Sequence, residues 1–165
     1  MYPRIFTVLL SLFSFGSHAI THQEFLDSYA LESNICQDGS VISRTQFELV
    51  CKHHLNSTSY VAETITISPN GKSYELFTSL YFNPTFYKKD LAYVGESVGH
   101  FVKLLGGGKQ NAETLTKHFS KHVYLKDEGF FNYGGEHGFD IKYTTRQEEI
   151  EDMKYYVWLK KTFKK

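Results

Sequence analysis

Only two cysteines, three prolines, two methionines and one tryptophan occur in 165 residues. So few cysteines exclude a disulfide-dense scaffold, and so few prolines exclude a collagen-like or low-complexity chain. A charge excess is missing too, since 18 basic residues balance 18 acidic ones. That balance argues against a nucleic-acid partner, because holding a phosphate backbone calls for a basic surplus. Past the N-terminal segment no apolar run approaches the roughly 20 residues of a membrane-crossing helix, so no transmembrane segment is expected. Aromatic residues, by contrast, are abundant: 14 Phe, 12 Tyr and the Trp make 16% of the chain. With 41% hydrophobic residues, the length suits one domain with its own core and excludes global disorder.

Residues 1–19 read apart from the rest. Arg4 supplies a positive start, Ile5 to Phe15 is an apolar run too short to span a bilayer, and Ser17-His18-Ala19 puts small residues where a signal peptidase cuts. A buried N-terminal helix would leave that three-part order without a reason. The expectation is therefore a signal peptide cleaved after Ala19 and a single domain over 20–165, periplasmic or secreted. Cys36 and Cys51 both lie in the mature part, and in an oxidising compartment such a pair bonds. A metal-thiolate pair or two inert thiols are the alternatives, but the spacing is longer than that of zinc knuckles. Asn56-Ser57-Thr58 fits the N-glycosylation pattern, which matters only in a eukaryotic secretory host.

Thr21-His22-Gln23-Glu24 has the form of a capping box, and Phe25, Leu26, Tyr29 and Ala30 follow at helical spacing. The stretch 43–55 is ambiguous. Phe47, Val50, Cys51, His54 and Leu55 fit one helical face while Val41, Ile42 and Thr45 favour strands, and a helix is the reading taken. Two strands, 60–67 and 74–82, flank Ser68-Pro69-Asn70-Gly71 and predict a β-hairpin ended by Asn83-Pro84. Leu91, Val94, Val98, Phe101 and Leu105 then step by three and four, predicting a helix over 87–105. Gly95 and Gly99, one turn apart beside that stripe, imply close packing against a neighbour. Gly106-Gly107-Gly108 should stop this helix, and Asn111 should cap another reaching about His122. From Tyr124 onward short aromatic segments predict an antiparallel meander, with a charged helical turn over 147–152 and a strand at 155–159 covered on both sides.

The expected fold is thus α+β, a single domain with a mostly antiparallel sheet and three to four helices packed on one face. Core candidates are Phe25, Tyr29, Ile65, Leu76, Leu80, Leu91, Val94, Val98, Phe101, Leu115, Phe119, Ile141, Val157 and Leu159.

Chemistry-bearing residues are few. His118 and His122, one turn apart, could share a zinc ion, with Glu113, Glu136 or His137 as a third ligand. The residue after His118 is Phe119, however, where a helical zinc hydrolase keeps its glutamate base. The bland alternative is two histidines on a solvated helix face. The loop Gly134-Gly135-Glu136-His137-Gly138 holds an acid–imidazole pair among glycines and is the first choice for a binding loop or, as Glu136 with His137, for acid–base chemistry. A wide hairpin loop whose glycines simply supply turn geometry explains it better, since such loops are common without chemistry. Gly106-Gly107-Gly108-Lys109 lacks phosphate-loop spacing, and no serine stands in a nucleophile-elbow context. His53 and His54 near Cys51 would form a Cys–His pair only with a free thiol. The acidic run at 148–152 reads as solvated surface. The C-terminal lysines read as guards of an edge strand, with attraction to an anionic surface as the rival.

Without an intact catalytic motif the reading leans away from an enzyme. A small exported binding or inhibitor protein acting by surface recognition on a protein partner is expected, of the immunity type or an envelope accessory protein, with no cofactor. Aromatic side chains are the usual anchors of such surfaces. The alternative is a metal-dependent or His/Glu-assisted hydrolase built on His118 and His122 with zinc.

Overall fold

The computed structural model describes residues 21–82, 88–120, 129–133, 138–147 and 153–163. Residues 1–19, expected to be a signal peptide, the Asn83-Pro84 stop and His122 lie outside those residues, as does the 147–152 turn beyond Gln147, where the strand ends.

Helix α1, His22–Glu32, starts at the expected capping box: Thr21 Oγ1 accepts from Glu24 N–H, and the Glu24 carboxylate accepts from Thr21 N–H. The chain breaks at Ser33, whose hydroxyl caps the short α2, Asn34–Asp38. Next come β1 (Ser40–Arg44), β2 (Glu48–His54), β3 (Tyr60–Ile67) and β4 (Ser73–Phe82), a four-strand antiparallel meander. The helix expected over 43–55 is therefore wrong. Leu49 and Cys51 alternate inward with Val50 and Lys52 outward, and pairing with β3 along the whole of β2 outweighs a helical spacing that a strand happens to satisfy. The β3–β4 hairpin turns at Gly71, which takes φ +66°.

After a 3-10 turn at Lys88–Asp90 come α3 (Leu91–Leu104) and α4 (Lys109–Phe119). Gly95 and Gly99 lie where a Cβ would collide with Thr116 and Ser120, so the two glycines let α3 and α4 approach closely, as their spacing implied. Asn111 does not cap α4. Gly108 holds that position, and the Asn111 amide donates to Gly107 C=O from inside the first turn. The chain then adds β5 (Gly129–Tyr133), β6 (Phe139–Gln147) and β7 (Met153–Thr162), again antiparallel.

The seven strands form one sheet in the order β1-β2-β3-β4-β7-β6-β5. β7 lies in its middle, paired with β4 on one side and β6 on the other. The C-terminal lysines Lys160 and Lys161 therefore sit on an interior strand and guard no edge. Lys160 pairs with Glu75, and Lys161 lies over the Phe139 ring. All fourteen core candidates are buried. Along β7, Tyr155, Val157 and Leu159 face the core while Tyr156 and Trp158 are half-buried on the other side, so the described helices cover one face of this strand only. Among the described residues, no helix is long and apolar enough to cross a membrane.

Candidate binding face

A strand exposes alternate residues on opposite sides. In β3, β4 and β7 the inward set is Val61, Glu63, Ile65, Leu76, Thr78, Leu80, Val157 and Leu159, packed under α1, α2 and α3. The outward set is unusual. Tyr60 and Tyr81, cross-strand partners, stack with ring centroids 5.0 Å apart and planes at 18°. Phe77 lies opposite Trp158, and its ring is 5.4 Å from that of Tyr156. Phe77 is 41% exposed. Five large aromatics thus occupy the middle of the sheet on the side away from all four described helices.

Polar groups set the edges of this patch. Trp158 Nε1–H donates to Glu75 Oε2 at 3.2 Å while Lys160 Nζ meets Glu75 Oε1 at 2.8 Å. Lys52 Nζ sits 3.8 Å from the Tyr60 ring centroid, a cation–π contact. A purely solvated sheet face can be made of Thr, Lys and Glu at no hydrophobic cost. A cluster of half-buried rings tied at its margins makes this face the candidate binding surface.

Sequence reading named none of these five as a group. The signal lay in strand parity: Phe77 and Tyr81 alternate with Leu76 and Leu80, so one set must face away from the core. Which face the helices leave open is decided only by the fold.

The residues singled out from sequence are placed as follows. Cys36 on α2 and Cys51 on β2 are disulfide-bonded, their Cα atoms 5.0 Å apart, which ties α2 to the sheet. Closing a loop with a separation of 15 residues contributes about 3 kcal/mol by restricting the unfolded chain. The His118 ring packs against Phe119 and Tyr143 at 4.9 and 6.5 Å, half-buried between α4 and β6. Its proposed partner His122 lies outside the described residues, as do Gly134, Gly135, Glu136 and His137; Gly138 is exposed at φ +46°.

One buried group was missed. Glu63, 1% exposed, projects from β3 into the core. Tyr29 and Ser97 hydroxyls donate to Oε2 at 2.8 and 2.7 Å, and the Ser33 hydroxyl donates to Oε1. Burial raises its pKa above 4.5 while the three hydroxyls pull it back down. A single carboxylate so joins α1, the α1–α2 junction and α3 to the sheet. Cys36 Sγ lies 3.2 Å from Oε1, but a half-cystine has no proton to give, and bonded sulfurs are not metal ligands. The grouping of Cys36, Cys51 and Glu63 is therefore structural.

Compared with protein-family models, curated proteins and solved structures, the chain matches none.

Proposed function

We propose that this chain is a small exported binding protein, of the inhibitor or immunity type or an envelope accessory, that grips a protein partner with the open face of its sheet. The carrying observation is the cluster of Tyr60, Phe77, Tyr81, Tyr156 and Trp158 on the side away from the helices. Rigid rings on a hydrogen-bonded sheet lose little freedom on contact, which is what makes Tyr and Trp effective anchors. Lys52 and Lys160 beside them favour a partner with an apolar patch bordered by carboxylates. Export is supported by the charge, apolar run and small-residue order of residues 1–19 and by the bonded cysteine pair, which suits an oxidising compartment.

The test is comparative. A photo-reactive residue placed at Phe77, and separately at Glu113 on α4, is irradiated in the native envelope fraction. The reading expects one stoichiometric protein adduct from the sheet position only, competed away by the unlabelled parent and not by a Phe77→Ala/Trp158→Ala variant of unchanged melting temperature. Equal adducts from both positions, or equal competition by the variant, would overturn it. The intact mass of the native protein checks export: retention of Met1 or free alkylation of both sulfurs would sink that part.

A further inference from the structure

Asp90 ends the 3-10 turn and occupies the N-cap position of α3, yet its side chain makes no capping bond. The residue is only 7% exposed. Among the described residues its carboxylate takes neither a hydrogen bond nor an ion pair. Asp90 instead lines an adjacent open cavity, where its carboxylate oxygens can accept from a ligand. Burial pushes its pKa up, while the charges of Lys89 and His53 pull the other way.

The surroundings form a cavity of about 480 Å³ between the β2–β3 turn and the start of α3, lined by His53, Leu55, Asn56, Lys89, Asp90 and Tyr93. That volume falls within the usual range of small-molecule sites, roughly 300–1,000 Å³. Its side chains are held in place. Tyr93 O–H donates to Asp38 Oδ2 at 2.9 Å, and His53 Nε2 lies 3.4 Å from the Tyr93 hydroxyl oxygen. Burial and the Asp38 carboxylate raise the Tyr93 pKa to about 12, so the phenol stays protonated and its donor stays committed to Asp38. The Asn56 Oδ1 accepts from Thr58 N–H, Thr58 O–H and Ser59 N–H, which orients the amide and leaves its NH₂ as the remaining donor.

We propose that this cavity binds a neutral polyhydroxylated ligand of the size of one or two sugar rings, with Asp90 as its main hydrogen-bond acceptor. The choice follows from the charges. An anion would meet the Asp90 carboxylate, and an ammonium would meet Lys89. Vicinal hydroxyls can instead donate to both Asp90 oxygens and accept from the Asn56 amide, while Leu55 and Tyr93 offer carbon surface to the C–H side of a ring. The site is on the helix side of the sheet, so it stands or falls apart from the aromatic face.

Titration calorimetry of the full chain with D-glucose, D-galactose and N-acetyl-D-glucosamine tests this, with ethanolamine and glucose 6-phosphate as charged controls. At least one neutral sugar should bind saturably and shift the His53 imidazole resonances while leaving those of His100 in place. Asp90→Asn, which keeps the shape, should weaken that binding about tenfold or more, the loss expected for hydrogen bonds to a charged group. Tyr93→Phe, which keeps the ring, should weaken it less. No binding by any of the three sugars, binding that Asp90→Asn leaves unchanged, or preference for either charged control would overturn the proposal. The resonance shifts are read on the parent chain, so the outcome does not depend on how well a variant folds.

Discussion

The two faces of the sheet are made from the same strands, often from adjacent residues, and they are built differently. Under the helices most inward strand side chains are aliphatic, with Tyr155, Thr78 and the hydrogen-bonded carboxylate of Glu63 among them. On the other side lie five aromatic rings with an ion pair and a cation–π contact at their margins. Hydrophobic character therefore does not distinguish the two faces. Closure and edge chemistry do: the inner face is sealed by α1, α2 and α3, while the outer rings keep part of their surface and are bordered by charged groups.

This contrast can be broken at its strongest point first. Glu63→Ala should destabilise the fold by about 3–5 kcal/mol, because it leaves the Tyr29, Ser33 and Ser97 hydroxyls buried without their acceptor; urea unfolding measures it. The pH dependence sharpens the same point. With its native pKa raised above 4.5, Glu63 contributes stability fully below about pH 4.5 and loses it as pH rises through the raised value. Glu63→Gln should remove that part of the slope between acid and neutral pH, and an unchanged slope would show that Glu63 is not its source.

Leu76 and Phe77 are neighbours on opposite faces. Leu76→Ala should cost about 2–5 kcal/mol through the cavity it leaves. Replacing both Cys36 and Cys51 by alanine should cost about 3 kcal/mol and lower the denaturation midpoint without changing the sheet's circular dichroism. The smallest stability effect belongs to Phe77→Ala, below about 1 kcal/mol since its ring is already partly in water, and partner binding should fall by far more than stability. A Phe77 cost as large as that of Leu76 would make the open face a second core and end the comparison.

Several elements were legible from local chemistry. The α1 capping box, the β3–β4 hairpin around Pro69-Asn70-Gly71, the apolar stripe of α3 and the glycine pair against α4 each follow from residues close in sequence. The β2 strand was not legible, because Phe47, Val50, Cys51 and His54 satisfy a helical period and only pairing with β3 decides between the two. Glu63 carried a readable sign, since it shares parity with the inward Val61 and Ile65, but a lone carboxylate in a Thr-rich strand gives no hint of three hydroxyl partners. His53, Asp90 and Tyr93 are far apart in the chain, and nothing local brings them round one cavity.

Sequence alone determined the class of this molecule: helices and strands of stated kinds, a bonded cysteine pair, no surplus charge, and an abundance of rings. These depend on backbone preference and on periodicity, which act over a few residues. Only the tertiary structure decided that β7 enters between β4 and β6, that the helices cover one side of the sheet, and that the rings of β3, β4 and β7 gather on the other. Strand order and layer choice depend on burying the whole apolar surface at once, and that sum cannot be read from any single segment.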